Sequence, residues 1–329
     1  MIDLVSLFSG AGALDMGFQS SGRFRTRLRV EYQEEFCETL LVNQEKGFLE
    51  SAELRKVDVR SLGPTDLPAR RKRSSAFGIV GGPPCESFST MGLRAGHEDP
   101  RGTLVFTFAR LVVDSSADFF VLENVPELAK ANGGTPFQEL LEFLGSSGYA
   151  VSHRVLSAAD YGAATVRRRL FVLGVRGPRP LRFPHPTHGA PLTGLPPCRT
   201  VRVAFAGLPP PSDAAPGVPQ AHVRVAHTPE VVDRFSRLGP GQYDYIRRRS
   251  RLLWDEPSPS LVAGNLNGIR SLIHPDEPRE LTSRESARVQ GFSDAFVFAG
   301  SPAAIGKQVA NAVPIALAEA IGMALADQL

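Results

Sequence analysis

Residues 76–85 read AFGIVGGPPC: an apolar run ends in two glycines and two prolines, and a cysteine follows at once. Because Gly and Pro end regular structure, this order predicts a strand that stops and passes into a loop. A structural cysteine is typically found among the buried apolar residues of a strand or helix. Cys85 instead follows the run, which makes it a candidate nucleophile in a loop at the edge of a sheet.

Around this segment, the first half of the chain alternates short apolar runs with helical patterns. Strands are predicted at 4–8, 28–31, 119–122, 149–156 and 170–175. Helices are predicted at 13–20, 34–42, 103–115 and 136–144. This alternation predicts an α/β fold with a Rossmann-like, doubly wound sheet, whose ligands bind beyond the carboxyl ends of the strands.

The composition changes at Gly177, after which the chain is rich in Pro, Gly and Arg up to about residue 259. Regular structure resumes with a helix at 282–290, where Thr282 and Glu285 have the spacing of a capping box, and with a last helix at 315–325. We expect residues 1–176 and 304–329 to form one domain, and residues 177–303 to form a smaller, irregular one.

Positive charge is concentrated in the middle of the sequence. The chain as a whole carries a net charge of +3. Residues 167–251 contain fifteen arginines, no lysine and four acidic residues, which gives this segment a charge of +11. Such a segment favours a surface that faces phosphate groups, although a general preference for Arg over Lys on solvated faces would give the same count.

The three cysteines, Cys37, Cys85 and Cys198, have neither metal-ligand spacing nor the pattern of a disulfide framework. We therefore expect no metal site and a reducing, cytoplasmic location. Cys37 falls in a predicted helix and is expected in the core. We identify no apolar run of the ~18 residues that a membrane span needs and no signal peptide before the first strand, so no membrane association is expected.

A loop after the first strand has the character of a nucleotide site. Residues 8–12 read FSGAG, and they open the first helix, whose free N–H groups attract a negative group. Glu31, at the end of the second strand, is placed to accept hydrogen bonds from ribose hydroxyls. The third glycine of the dinucleotide fingerprint is missing, so the pattern favours a smaller ligand such as S-adenosylmethionine over NAD. A tight turn with no ligand is the alternative.

Two further groups are predicted at the same edge as Cys85. Glu123 follows the buried strand 119–122, and three arginines precede the strand 170–175. Because alternate residues of an extended segment face opposite sides, Arg167 and Arg169 should share one side and Arg168 the other. A thiol, a carboxyl and a guanidinium could together attack, protonate and orient an electron-poor ring. The alternatives are a capping or surface acid at Glu123 and a solvated arginine triplet.

Taken in order, these motifs resemble those of the bacterial DNA (cytosine-5) methyltransferases over nearly the full length. The matching segments are Phe8-Ser9-Gly10-Ala11-Gly12, Pro83-Pro84-Cys85, 94–102, Glu123-Asn124-Val125, 160–169, 284–292 and 308–314. The resemblance implies that Cys85 adds to C6 of a cytosine turned out of the duplex. Glu123 would hold N3 and the exocyclic amine, and Arg169 with Arg167 would contact the O2 side.

The resemblance also assigns ligand contacts. S-adenosylmethionine would be the methyl donor, with no metal required, and residues 177–303 would form the target-recognition domain and hinge. The donor would be held by Phe8, Gly10, Gly12, Glu31, Asp58, Pro83 and Asn311. Duplex DNA would be bound by Ser89, Arg94, Arg101, Arg247, Arg248, Arg249 and Arg251. We expect a monomer, in a setting where a restriction or other phage-defence protein would be the cognate partner.

Three positions depart from the family pattern. Glu86 and Thr165 replace glutamines, and Ala310 replaces a glycine. A second carboxylate beside the thiol would disfavour the thiolate unless it points away or is paired. Two alternatives stay open: methylation of cytosine in tRNA, and a catalytically silent protein that binds DNA or senses the cofactor.

Overall fold

The computed structural model describes residues 1–68, 76–84, 103–212, 217–246, 248–262 and 272–329. Within them lies a seven-stranded sheet in the order β3-β2-β1-β4-β5-β7-β6. Its strands are β1 (Ile2–Leu7), β2 (Phe24–Glu31), β3 (Glu53–Lys56), β4 (Phe77–Gly81), β5 (Phe119–Asn124), β6 (Tyr149–Ser157) and β7 (Arg168–Arg176). Neighbouring strands are parallel except that β7 runs antiparallel to both β5 and β6. The predicted doubly wound α/β fold is confirmed.

The helices described are α1 (Ala13–Ser20), α2 (Glu34–Glu45), α3 (Thr103–Asp114), α4 (Thr135–Ser146), α5 (Val201–Phe205), α6 (Pro229–Ser236), α7 (Ser283–Gln290), α8 (Pro302–Asn311) and α9 (Ile315–Ala326). A short hairpin, β8 (Tyr243–Asp244) and β9 (Arg249–Ser250), lies apart from the main sheet. The capping box predicted for α7 is present: Thr282 Oγ1 accepts from Glu285 N, and Glu285 Oε2 accepts from Thr282 N. Cys37 is buried in α2, as expected.

Apolar layers cover both faces of the sheet. On one face, Phe108 of α3 and Leu140 of α4 pack against β1, β4 and β5. On the other face, α1 and α9 share a cluster with the sheet, and they cross closely at Gly17. A Cβ at Gly17 would lie 2.3 Å from the Cβ of Ala318, so only glycine allows this approach.

The irregular region shares a hydrophobic cluster with the first predicted domain. Val201, Leu261 and Phe298 lie in one buried cluster with Ala11 and Ala13, which belong to the loop after β1 and to α1. Apolar contact is therefore continuous between the two predicted domains. Their exact boundaries stay a prediction.

The segment Pro302–Ala326 is long and apolar enough to cross a membrane by length and composition, with a mean hydropathy of 1.7. We did not expect such a segment. It folds as two helices, α8 and α9, and 61% of it is buried inside the protein. The apolar residues of α9 pack on α1 and the sheet, whereas Ile305 and Val309 of α8 lie in a separate buried cluster with Phe296.

A buried ion pair ties the first helix to the sheet. Arg29 Nε of β2 lies 2.9 Å from Asp15 Oδ1 of α1, and both side chains are 0% exposed. Asp15 also accepts from Ser6 Oγ at 2.8 Å, while Arg29 Nη1 donates to Gln44 and to the carbonyl of Glu50. The network therefore joins β1, β2, α1 and α2 beneath the loop at 8–12.

This pair gives a stability prediction. Asp15→Ala should lower the free energy of unfolding by about 3–5 kcal/mol, because it leaves the Arg29 charge buried without its partner. Urea denaturation followed by circular dichroism measures the change.

Two comparisons make the test specific. Asp233→Asn, which removes an exposed i,i+4 pair with Arg237, should cost less than about 1 kcal/mol. The double variant Asp15→Ala with Arg29→Met should regain part of the loss, since no unpaired charge then remains. Equal losses in Asp15→Ala and Asp233→Asn would contradict the assignment.

Candidate functional site

The predicted site residues converge on one edge of the sheet. Strands β1 to β5 are mutually parallel and end at this edge, whereas the antiparallel β7 begins there. In the register of β5 and β7, Glu123 lies opposite Phe171 and Asn124 opposite Leu170. Cys85 lies outside the described residues, as do Glu86, Ser89, Arg94, Arg101 and Arg247. Pro84, the residue directly before the cysteine, is the last described residue of this segment.

Glu123 and Arg169 form a shielded ion pair. Arg169 Nε lies 2.8 Å from Glu123 Oε1, and the side chains are 11% and 10% exposed. Glu123 belongs to the last two residues of β5, whereas the sequence placed it just beyond the strand. Burial raises the pKa of Glu123, while the charges of Arg169 and Arg167 and the hydrogen bond from Arg169 oppose that rise.

Gly82 makes room for this carboxylate. A Cβ at residue 82 would lie 2.6 Å from Glu123 Oε2, so any larger residue would push the carboxyl group away. The sequence shows Gly82 as a strand terminator, and its second role needs the distance to Glu123. The glycine thus lets an acid stand directly beside the segment that leads to Cys85.

Asn124 ties the same segment to the sheet. Its Nδ2 donates to the carbonyl of Pro83 at 2.9 Å, and its Oδ1 accepts from the N–H of Val125 at 2.9 Å. Pro83 is two residues from Cys85. The neighbouring side chains of β5 therefore do two tasks: Glu123 presents a carboxyl group, and Asn124 holds the backbone of the cysteine segment.

The arginine triplet alternates as predicted. Arg167 is buried, Arg168 is exposed, and Arg169 faces Glu123. Arg167, however, donates from Nη1 to the carbonyl of Leu261 at 2.7 Å and from Nη2 to the carbonyl of Ala310 at 2.6 Å. Burial lowers its pKa, with the charge of Arg169 adding to that effect. Arg167 thus connects three segments of the chain, and Arg169 is the arginine that pairs with Glu123.

The loop after β1 is held by Glu31. Its Oε2 accepts from Gly10 N at 3.0 Å, and its Oε1 accepts from Tyr32 N and Gln33 N at 2.9 and 3.0 Å. A carboxylate has about four lone-pair sites, so these three bonds leave one acceptor position on Oε2. The carboxylate is buried at the end of β2, as the sequence predicted.

The two glycines of the loop differ in role. Both have positive φ values, 58° at Gly10 and 79° at Gly12. A Cβ at Gly10 would have no contact closer than 4.0 Å, whereas one at Gly12 would lie 2.9 Å from Leu49 Cδ1. Gly10 therefore faces open space that a ligand could occupy, and Gly12 is needed for packing. Phe8 also has a positive φ, 55°, which turns the chain at the start of the loop.

Two other residues predicted to contact the cofactor, Asp58 and Asn311, show no contact with Glu31, Glu123 or Arg169 among the described hydrogen bonds and ion pairs. Asp58 follows β3 and pairs with Arg60, whose hydrogen bond lowers the pKa of Asp58. Asn311 is exposed at the end of α8. The structure places Glu31, Gly10, Pro83, Glu123 and Arg169 at one edge and leaves the ligand contacts of Asp58 and Asn311 as predictions.

The predicted phosphate contacts need correction. Arg251 is buried, and its guanidinium donates to the carbonyls of Phe235, His274 and Pro275. Arg249 pairs with Glu280, which is itself buried. These two arginines stabilise the irregular region from inside, because no solvent competes for their donors. Arg248 is exposed and stays a candidate contact.

Comparison with known proteins identifies the family. The model of the C-5 cytosine-specific DNA methylases matches residues 2–196 and 227–327. A Type II methyltransferase of Haemophilus parahaemolyticus, M1.HphI, is 31% identical over 98% of this chain and 86% of its own length. M.MthTI of Methanothermobacter thermautotrophicus is 30% identical over 100% and 98%.

Solved structures agree at the level of the fold. A prophage-encoded E. coli protein assigned as a DNA modification methyltransferase superposes with a TM-score of 0.76 and 26% identity, covering 99% of both chains. The methyltransferase EhMeth of Entamoeba histolytica has the same fold, with a TM-score of 0.68, 14% identity and coverage of 100% and 98%. The family model matches nearly the whole length of the chain, and the edge of the sheet is built from β1, β2, β4, β5 and β7. This chain therefore belongs to the C-5 cytosine-specific DNA methylase family.

Proposed function

We propose that this chain is the modification enzyme of a restriction-modification system, which uses S-adenosylmethionine to methylate C5 of a cytosine in duplex DNA. Methylation of cytosine C5 in DNA is the activity of its family, and the relatives above are named Type II methyltransferases. The observation that carries the proposal is the buried pair of Glu123 and Arg169 beside the segment that leads to Cys85.

The reaction begins with a cytosine that has left the base stack, since no side chain reaches its ring inside a duplex. The thiolate of Cys85 forms a bond to C6, and the electrons of the C5–C6 double bond move into the ring. Glu123 donates a proton at N3, so the ring accepts these electrons without carrying a full negative charge. C5 becomes nucleophilic as a result.

S-adenosylmethionine would supply the methyl group: the bond between its sulfonium sulfur and the methyl carbon would break as the methyl carbon bonds to C5, and S-adenosylhomocysteine would leave. A base then removes the proton from C5, the bond between Cys85 and C6 breaks, and the aromatic ring of 5-methylcytosine is restored. Glu123 recovers its proton from N3 in the same step. The thiol and the carboxyl group therefore both return to their starting states.

Arg169 prepares Glu123 for this task. Burial raises the pKa of Glu123, which favours the protonated form that donates to N3. The charge of Arg169 acts in the opposite direction and limits the rise in that pKa. Arg169 Nε also fixes the carboxyl orientation, Nη1 donates to the carbonyl of Arg168 at 2.7 Å, and Nη2 would contact O2 of the base. Arg167 acts on the site through position, since its donors go to backbone carbonyls.

The methyl donor fits the loop after β1. The remaining acceptor position on Glu31 suits one ribose hydroxyl, and the open space at Gly10 suits the close approach of a nucleoside. Phe8, Asp58, Pro83 and Asn311 would complete the binding site, while Gly12 acts through packing on Leu49.

The proposal extends to the setting of the enzyme. Residues 177–303 would recognise the DNA sequence, and a restriction nuclease would be the cognate partner of a cytoplasmic, monomeric enzyme. Methylation of tRNA is the competing function. It is separated from the DNA function by offering both substrates to the same preparation.

The nucleophile can be tested by trapping. On a duplex with 5-fluoro-2′-deoxycytidine at the target, fluorine replaces the proton that must leave C5, so the wild-type enzyme should stay covalently attached to DNA. Cys85→Ser should form no such complex in a denaturing gel and should lose transfer of labelled methyl by about 10³-fold or more.

Cys198→Ser is the matched control, because Cys198 is a partly exposed cysteine that we place outside the site. It should trap and transfer like the wild type. Methyl transfer by Cys85→Ser at the wild-type rate would refute the assigned nucleophile, and transfer by the wild type to tRNA alone would replace the DNA function.

The two loop glycines provide a second prediction. Gly10→Ala should weaken binding of S-adenosylhomocysteine by about tenfold or more, because the new methyl group enters the space of the ligand. Gly12→Ala should lower stability more than Gly10→Ala does, since its methyl group clashes with Leu49. Both substitutions place a side chain at a positive φ, so both also introduce backbone strain.

Calorimetric titration and thermal denaturation of the two variants measure these effects. Ligand binding by Gly10→Ala with wild-type affinity would show that the open space does not belong to the methyl donor.

The third prediction concerns the charge of Glu123. Arg169→Met should raise the pKa of Glu123 further, because the nearest opposing charge is lost and burial remains. The protonated form would then persist to higher pH.

A ¹³C NMR titration of labelled glutamate carboxyls, assigned with Glu123→Gln, follows this group. Arg168→Met is the control, since Arg168 is exposed on the opposite side of the strand and should leave the pKa unchanged. The same titration curve in both variants would mean that Arg169 does not control Glu123.

A further inference from the structure

His274 is a buried histidine to which the proposed reaction assigns no role. It is 8% exposed and lies between β9 and α7. Its N–H donates to the carbonyl of Arg279 at 2.9 Å, and Ile273 forms an antiparallel bridge with Glu280. These contacts close residues 274–280 into one turn, which we call the histidine turn.

The imidazole ring of His274 holds the backbone of this turn. Its Nδ1 accepts from the N–H of Asp276 at 3.2 Å and from the N–H of Glu277 at 3.1 Å. A ring nitrogen that accepts hydrogen bonds carries no proton, so the ring is neutral and its hydrogen is on Nε2. In a protonated ring, Nδ1 would direct a third N–H at these two donors. The closed turn is therefore compatible with the neutral ring only.

Two aromatic side chains enclose the ring. Phe205 of α5 stacks on it with ring centroids 6.0 Å apart, and Trp254 meets it edge to face at 5.5 Å. Trp254 Nε1 also donates to Asp276 Oδ1 at 2.9 Å, which ties the indole to the histidine turn. Apolar surroundings disfavour the charged form of a histidine.

Charged groups surround the ring and partly balance one another. Glu277 of the turn and Glu285 of α7 both pair with Arg279, at 3.0 and 2.8 Å. Other charged or titratable groups on the neighbouring segments are Asp276, Arg251, Arg224 paired with Glu277, His227 beside the N–H of Glu280, and the pairs of Arg249 with Glu280 and Arg202 with Asp255. Burial lowers the pKa of His274, and the charge of Arg279 adds to that effect, while the acids at 276, 277 and 285 oppose it.

The histidine turn supports other parts of the irregular region. Arg251 Nη1 donates to the carbonyls of His274 and Pro275 at 3.2 and 2.9 Å, and its Nη2 donates to the carbonyl of Phe235 in α6. Opening the turn would remove two of the three acceptors of this buried guanidinium, which is costly. A change at the ring would therefore spread to β9 and α6.

From these contacts we infer that His274 is a proton-sensitive switch. As a neutral ring it holds the histidine turn closed against Trp254 and Arg251, and as a protonated ring it releases the turn. The irregular region then loosens reversibly at mildly acidic pH, and methylation falls. The structural change is independent of the proposed function, and only the fall in methylation rests on it.

The direction of the pH effect follows from the lowered pKa of His274. Below about pH 6.5 the unfolded chain takes up a proton at this ring before the folded chain does. The contribution of the ring to stability is therefore complete above that pH and is lost progressively below it.

The emission of Trp254 reports the switch directly, because it is the only tryptophan in the chain and it contacts His274. When the wild type is titrated from about pH 7.5 to about pH 5, the emission should move to longer wavelength and return on neutralisation. His274→Asn should keep the emission of the neutral wild type throughout, since the asparagine oxygen can accept from the same two N–H groups and does not titrate.

Two further variants complete the test. His274→Ala lacks the acceptor, so its emission should lie at longer wavelength at neutral pH already; if it does not fold, the wild type and His274→Asn decide the question alone. His185→Asn is the matched control, because His185 is an exposed histidine in the loop after β7, and it should titrate like the wild type. The same titration in the wild type and in His274→Asn would overturn the switch.

Methyl transfer to duplex DNA measures the effect on activity. The rate of the wild type relative to His274→Asn should fall by about tenfold between neutral and mildly acidic pH, as expected for the loss of two hydrogen bonds. Both proteins share Cys85 and Glu123, so the titration of the site cancels in this ratio. A constant ratio would refute the effect on methylation. A wild type that methylates no DNA at any pH would defeat the proposed function instead, while the emission of Trp254 would still decide on the switch.

Discussion

Glu123 and Arg169 can form an ion pair because β7 is antiparallel to both of its neighbouring strands. In a wholly parallel sheet the first residues of β7 would lie at the opposite edge, about the length of a strand from the carboxyl end of β5. The reversal instead places a guanidinium beside a carboxylate that is nine-tenths shielded from water. Shielding makes the interaction stronger than at a surface and also makes an unpaired charge costly. The rest of the edge is arranged around this pair: Gly82 leaves space for it, and Asn124 holds the adjoining segment.

The arginines of this chain serve the interior as well as the surface. Arg167 and Arg251 each donate to carbonyls of distant segments, and Arg284 does the same toward Gln220, Ser293 and Phe296. In a region with little regular structure, many carbonyls have no partner in a helix or sheet, and a planar group with five donors can satisfy several of them. The high arginine content of residues 167–251 therefore overstates the charge available for DNA.

The sequence was sufficient for most elements and for part of the site. Apolar runs located six of the seven strands of the sheet to within a few residues, but not β3, whose residues are mostly charged, and the helix α8 was not predicted. The alternation of Arg167, Arg168 and Arg169 followed from strand geometry, and the cap at Thr282 followed from its spacing to Glu285. The acceptors of Arg167 and Arg251 could not be predicted, because every residue has a carbonyl and sequence alone does not show which lies nearby. The sequence does not distinguish the roles of Gly10, Gly12 and Gly82. The structure does, because a Cβ would face open space at Gly10, Leu49 at Gly12 and Glu123 at Gly82.

The close crossing of α1 and α9 has a consequence for biosynthesis. Gly17 belongs to α1, and Ala318 belongs to α9, which is made after all seven strands of the sheet. Until α9 has been synthesised, one face of the sheet lacks the helix that covers Leu4, Val80 and Phe119. Since chains fold as they emerge only where their partners are already present, this face must wait until α9 has been made. A nascent chain thus exposes an apolar face of the sheet from the time β7 has been made until α9 follows, and chaperones would be expected to bind it there.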